Sequence, residues 1–528
     1  MRVRVWVVAV TAVLVSGGLA AAALLAWPSA RLDATGSALA RVVLPGFAGR
    51  VEAVGVSSTD GAAVPVALRQ GRLWPLRKLG AGERLTVEVT VRRPSWAGWL
   101  VGDVERGRFT LETPSAQLLG RLLQVKAGAP VTVAFDRPVS VVSFGSNGPR
   151  RLPVARADVP VGVTAGGAQS AGAVEVAAAA RTWERLPAPV QVSWFPPRPF
   201  PQLLVEPAAG GTLAPGGELT LSFSAPVSAV LGAQRPRLAP ATPGRWKLLD
   251  AHTLAFVPTG LGYGLDVDVR VDLPRAVHLA AERVVAPVRA LRWHVPSGST
   301  LRLEQLLASL GYLPLDWQPA AGATPSSRRE QLADAVSPPA GRFVWRYPQT
   351  PPELRALWLP GVPNAIVRAA VMTFEHTHGL AVDGLVGPRV WRALLADALA
   401  GTHHPGGYTY VYVHRNLPQS LNLWHDGRVI LTSPGNTGVP AAPTQLGTFP
   451  VFEHIPVGTM SGTNPNGSHY HDPGIRYISY FHHGEAIHAF TRASFGTPQS
   501  LGCVELPLAA AAAVWPYTPI GTLVTIEN

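Results

Sequence analysis

Near its C-terminus the chain carries two side chains that can do nucleophilic chemistry together. Its one cysteine, Cys503, lies in Gln499-Ser-Leu-Gly-Cys-Val-Glu-Leu-Pro507, and upstream stands Glu485-Ala-Ile-His-Ala489. A thiol near pKa ~8.5 needs a base to become a nucleophile at neutral pH, and histidine is the usual base. His488 precedes Cys503 by fifteen residues, with Gly496 and Pro498 between them to fold the chain back. Ser500 and Gly502 allow a tight turn and close approach of a substrate. Ser500 reads as a hydrogen bonder that shapes the turn, not as the nucleophile. A lone cysteine excludes an intrachain disulfide, leaving a reactive thiol or a small buried hydrophobe. The nearby histidine favours the first.

Ten of the fifteen histidines lie between His403 and His488. His469-Tyr-His471 with His482-His483 suggests zinc, but no carboxylate or second cysteine completes a ligand spacing. They read as loop histidines, and no metal or cofactor is expected. On a continuous strand His482 would share a face with His488, making it the substitute base, while His483 would face away.

Strands must position this pair. Tyr408–His414, Ser420–Trp424, Arg428–Thr432 and Thr522–Ile526 alternate or run apolar in strand fashion, and Asp426-Gly427 is a hairpin turn signal. Residues 407–528 are therefore expected to be a mostly β domain, with Ala509–Ala513 a helix after the cysteine turn.

This zone resembles the L,D-transpeptidase catalytic domain. That family's pattern is Ile/Val-His-Gly/Ser, about fifteen residues, then Ser-His/Arg-Gly-Cys-Ile/Val-Arg/Asn. Here it reads Ile487-His488-Ala489 and Ser500-Leu501-Gly502-Cys503-Val504-Glu505, with Gly435-Asn-Thr-Gly438, Thr444–Pro450 and Ile478-Ser-Tyr480 as further matches. The resemblance implies Cys503 as nucleophile and His488 as general base and acid. The backbone carbonyl of Ala489 would orient the imidazole, and the Gly502 and Cys503 amides would form an oxyanion hole. Tyr480, Ser500 and Leu501 would line the substrate site. Leu501, Glu505 and Ala489 depart from the pattern, and the first two replace the usual contacts to a substrate carboxylate. The implied activity is extracytoplasmic peptidoglycan cross-linking by L,D-transpeptidation through a thioester. L,D-carboxypeptidation and a non-catalytic wall-binding or spacer role are the alternatives.

Residues 299–400 read as a separate helical module. Leu301–Leu310 and Asn364–His378 have helical spacing, Gly379 follows as a C-terminal cap, and Gly387-Pro388 opens a last helix. Phe374-Glu-His-Thr-His-Gly-Leu-Ala-Val-Asp-Gly-Leu-Val-Gly-Pro-Arg-Val-Trp391 resembles the peptidoglycan-binding-domain-1 family. The resemblance implies a small three-helix module that binds wall glycan or positions its neighbour. A Pro/Ala-rich stretch runs from Leu313 to about Gly341, and an insertion is read around 314–345.

From about 30 to 297 the pattern is alternation and turns. Gly128–Ser140 aligns with Gly216–Ser228 at six of 13 positions. The repeat suggests two or three immunoglobulin-like β-sandwich modules, at 30–115, 116–195 and 197–297. They would act as a spacer. Asp266-Val-Asp-Val-Arg-Val-Asp272 reads as a solvated strand face rather than a Ca²⁺ site. Val5–Trp27 runs 23 residues without a charge after Arg2 and Arg4. That length predicts a single N-terminal membrane helix within 1–29, with a cleaved leader cut near Ala20–Ala23 as the alternative. Either way the rest lies outside the plasma membrane, in the cell envelope. The net charge of +12 is spread without a basic run. That pattern fits an anionic wall polymer better than a nucleic-acid groove, so no nucleic acid is expected.

Overall fold

The computed structural model describes residues 29–96, 98, 102–126, 128–164, 171–280, 287–320 and 327–528. The expected membrane helix lies outside them. Among the described residues no helix is long and apolar enough to cross a membrane. Strand outweighs helix, 45% against 14%, which makes the chain mainly β. Its described residues divide into two compact units, one within 1–204, 222–226 and 278–287, the other within 205–221, 227–277 and 288–528.

In the first unit, Arg50–Ser58, Arg84–Arg92 and Val104–Glu112 form an antiparallel sheet. The central strand shows why: Leu85, Val87, Val89 and Val91 alternate with polar residues and are buried, as a two-residue side-chain period requires. A second sheet runs through Pro130–Phe144 and Gly172–Ala179. Trp183 packs into the core of the first sheet and donates from Nε1 to the Ser37 carbonyl at 2.7 Å. The two repeat copies diverge after their shared strand. Around Pro138 the first stays in one long strand, whereas the second ends at Phe223 and enters the helix Val227–Leu231 after Pro226. In the second unit Asp268 pairs with His294, and Arg270 with Asp272.

The helical region has five helices among its described residues, where three were expected: Thr300–Ser309, Arg328–Val336, Pro352–Ala356, Ala365–Thr377 and Pro388–Ala400. The stretch read as an insertion contributes the second of these and a ribbon of Leu315–Pro319 paired with Gly341–Trp345. Asn364 caps Ala365–Thr377 by accepting the Val367 N–H at 3.0 Å, satisfying an amide that a helix start leaves open. The buried Glu375 carboxylate accepts the N–H groups of Asp383 and Gly384. The Phe-Glu and Asp-Gly pairs of the sequence pattern are thus two halves of one turn.

Residues 409–527 form two sheets. One has the order Arg428–Pro434, Ser420–His425, Thr409–His414, Leu523–Glu527, Gly447–Pro450. The other runs Glu453–Thr463, His469–His482, Glu485–Ala489, Val504–Leu506. Val411, Leu423, Phe481, Ile487, Val504, Leu506 and Val524 share a core, with the helix Leu508–Val514 against it. A second core joins this domain to the helices: Tyr410, Trp424 and Leu523 are buried with Phe374, Leu394 and Trp391. Trp424 Nε1 donates to the Gln349 carbonyl at 3.1 Å.

Candidate active site

Strand parity brings the reactive side chains together. In strand 485–489, Ile487 and Ala489 enter the inter-sheet core, which turns Ala486 and His488 to the opposite face. In strand 504–506, Val504 and Leu506 enter the same core, which turns Glu505 and the preceding Cys503 outward. The two strands are parallel, with His488 opposite Glu505. A parallel pair needs a crossover, and residues 490–503 supply it. His488 and Cys503 therefore line one cavity of about 500 Å³ with Tyr470, Tyr480, Arg492, Ser500 and Leu501.

His488 is buried, and its Nδ1–H donates to the Ala489 carbonyl at 3.0 Å. That bond fixes the tautomer and leaves Nε2 with the lone pair. Burial holds the imidazole below the usual histidine range, opposed in part by the Ala489 carbonyl. Cys503 is half-buried and its thiol donates to the Gly484 carbonyl at 3.7 Å. Burial pushes the thiol up to about 12, against a hydrogen bond from the Ala486 backbone, and the carboxylates of Glu505 and Glu485 add to the rise. Burial disfavours the charged form of both groups, and the carboxylates of Glu505 and Glu485 further oppose a thiolate, so the resting pair is a neutral thiol and a neutral imidazole.

The turn before the cysteine is held from several sides. Ser500 Oγ–H donates to the Cys503 carbonyl at 2.6 Å, and Ser500 Oγ accepts the Gly502 N–H at 3.2 Å. The Gly502 amide is therefore engaged within the turn in this state. Gly502 has φ +113°, and a Cβ there would meet Glu485 Oε1 at 3.1 Å. Asn436 and Thr437, in the Gly435–Gly438 segment, clamp the crossover. Asn436 Oδ1 accepts the Gly496 N–H at 2.9 Å, Asn436 and Glu505 exchange both backbone bonds, and the Thr437 carbonyl accepts from Gln499 and Ser500.

His482 does not share the face of His488. The strand ends at His482 and reverses through His483, which has φ +45°, so parity does not carry across the turn. His482 Nδ1 pairs with Glu485 Oε2 at 3.2 Å, and its ring lies 4.4 Å from that of Phe449. His469 Nδ1 bonds Thr463 Oγ1. Among the cavity residues that the sequence reading did not single out are Tyr470 and Arg492. Tyr470 stands beside Tyr480, and burial pushes both hydroxyls up, so both stay protonated donors. Arg492 comes from the crossover, where no periodic signal exists to single it out.

Residues 409–526 match the family model of YkuD, the L,D-transpeptidase catalytic domain. No curated protein matches the chain. Among solved structures the chain is similar to an L,D-transpeptidase from Mycobacterium smegmatis: 13% identity, 62% of this chain and 99% of that one, TM-score 0.21. A second is the catalytic domain of the E. faecium L,D-transpeptidase, at 25% identity over 23% of this chain and 99% of that one, TM-score 0.21. A third is L,D-transpeptidase 3 from Mycobacterium tuberculosis with a faropenem-derived adduct, at 13% identity over 62% and 98%, TM-score 0.21.

Proposed function

We propose that the chain cross-links peptidoglycan outside the plasma membrane by L,D-transpeptidation, with Cys503 as nucleophile and His488 as base and acid. One observation carries this reading: an oriented imidazole and the chain's one thiol line the same cavity, within a segment matching an L,D-transpeptidase catalytic domain. Cys503 Sγ bonds the carbonyl carbon between the third and fourth residues of a stem peptide as its proton passes to His488 Nε2. Collapse breaks the C–N bond, and the leaving D-alanine amine takes that proton. The amine of a second stem then attacks the thioester, gives its proton to Nε2, and the thiolate leaves and recovers it. With the Gly502 N–H turned to Ser500 Oγ, the Cys503 N–H and the Tyr480 hydroxyl are the donors assigned to the oxyanion.

The helices of 300–400 are assigned to wall binding in the same proposal, and residues 1–29 to a membrane anchor. The β-rich stretch of 30–297 is assigned the role of spacer. Incubating residues 29–528 with disaccharide-tetrapeptide and weighing the products tests the reaction. A cross-linked dimer with release of D-alanine supports it. Disaccharide-tripeptide alone makes the chain a carboxypeptidase, and no change in either product leaves it a binding protein.

A further inference from the structure

The charge around the nucleophile is arranged in an order that the sequence motif does not show. Glu505 is 4% exposed, lies opposite His488 across the strand pair, and faces the cavity. A buried carboxylate there costs several kcal/mol unless paired. Arg492 pairs it in fork fashion: Nε donates to Oε2 at 2.8 Å and Nη2 to Oε1 at 2.7 Å. Nη2 also donates to the Gln499 carbonyl at 3.2 Å, and the guanidinium carbon sits 4.6 Å from the centre of the Phe490 ring. Three acceptors and a ring fix the plane of the group. Nη1 is left over, with no protein acceptor among the described residues, on a side chain 30% exposed and lining the cavity. Besides the neutral His488, Arg492 is the one basic side chain among the residues that line this cavity, and Asp472 and Glu505 are the acids.

We propose that Arg492, locked by Glu505, is the specificity-determining residue that receives a free carboxylate of the acyl-donor peptide on its Nη1 edge. The argument is one of geometry and charge. Two N–H donors of a guanidinium held rigid on its other edge are pre-organised for an anion, and little side-chain entropy remains to be lost on binding. Glu505 does not cancel the site. It spends its oxygens on Nε and Nη2 and leaves Nη1 without a protein acceptor among the described residues, on a side chain that lines the same cavity as Cys503. Leu501, where a basic residue was expected, offers no competing cation. The ligand class is an anionic peptide with a free carboxylate near the scissile carbonyl. The inference rests on the acyl-transfer reading of this cavity.

The test measures binding apart from turnover. In Cys503→Ala protein, affinity is measured by titration calorimetry for a disaccharide-tetrapeptide and for the same compound with its D-alanine carboxylate amidated. A charge-assisted hydrogen bond in a partly buried site is worth roughly 10–100-fold in affinity, so the free acid should bind that much more tightly. Adding Arg492→Gln should erase the preference, weakening the free acid far more than the amide, whose carbonyl loses only a contact to a neutral acceptor. Because Arg492→Gln strands Glu505, the neutral pair Arg492→Gln/Glu505→Gln serves as second variant and should behave the same way. Arg492→Lys should retain part of the preference. Equal affinity of acid and amide for the Arg492-containing protein overturns the assignment, as does a preference that survives in the neutral double variant. A chain that shows the preference yet never turns over donor keeps the carboxylate site and loses the acyl-transfer reading.

Discussion

A neutral resting thiol has a consequence that alkylation rates can read. A thiol held at about 12 is ionised to roughly 3 parts in 100,000 at pH 7.5, against about 9% for a free cysteine of pKa ~8.5. That is a deficit of about 3,000-fold in thiolate. The rarer thiolate is more basic, and a Brønsted slope of ~0.4–0.5 over ~3.5 pKa units returns about 40-fold in intrinsic reactivity. Iodoacetamide should therefore label folded Cys503 on the order of 100-fold more slowly than the urea-unfolded chain at pH 7.5. The folded rate should keep rising tenfold per pH unit beyond pH 9, where the unfolded rate levels off. His482→Ala should leave the profile unchanged, since His482 pairs with Glu485 and does not line the cavity. Intact-mass measurement against time, from pH 5 to 10.5, gives both curves. A folded-state rate with a plateau below neutral pH would show a resting thiolate–imidazolium pair and refute the reasoning.

Other outcomes follow from the same contacts. Cys503 should gain one drug mass from a carbapenem and Cys503→Ala none, read by intact-mass spectrometry; labelling of the variant removes the nucleophile assignment. Gly502→Ala puts a side chain at φ +113° against Glu485; it should cost ~1–3 kcal/mol in urea unfolding and slow acylation further by moving the cysteine turn. Asn436→Ala strands the Gly496 N–H that its Oδ1 accepts, and should lower stability by ~1–3 kcal/mol. Glu304 is fully buried and its carboxyl is pushed up to about 7 by burial. A raised folded value stabilises below the unfolded value near 4.5 and loses that contribution as pH rises through 7. Melting temperature should fall between pH 5 and 8 in the native chain and fall less in Glu304→Gln, which keeps an oxygen for the Gly361 N–H.

What could be read from sequence was whatever obeys a short period. The hairpin at Asp426-Gly427 and the strands on either side of it appear where alternation put them, with Asp426 at φ +43° and Gly427 at φ +91° as that turn demands. The Pro388 helix start was equally local. The Ser327–Glu330 capping box was also local and signals the helix at 328–336, but the Pro/Ala richness around it masked the signal. Parity failed for His482 because a reversal at His483 breaks the count. Arg492 was illegible for a deeper reason. Its role depends on a pairing with Glu505 across a crossover, and in the sequence Glu505 looked only like a lost positive charge. Likewise the core shared by Trp424 and Phe374 joins residues too distant in sequence for any periodic pattern to connect.

The central claim is that acyl transfer passes through Cys503 with His488 as its base. Its most direct measurement is a single-turnover reaction of residues 29–528 with stoichiometric disaccharide-tetrapeptide, quenched in acid and read by peptide mass mapping. The account predicts a transient adduct on Cys503 weighing the donor less D-alanine, discharged on adding acceptor. The adduct should be absent in Cys503→Ala and formed far more slowly in His488→Ala. An adduct on any other residue, or product formation by Cys503→Ala, would contradict it.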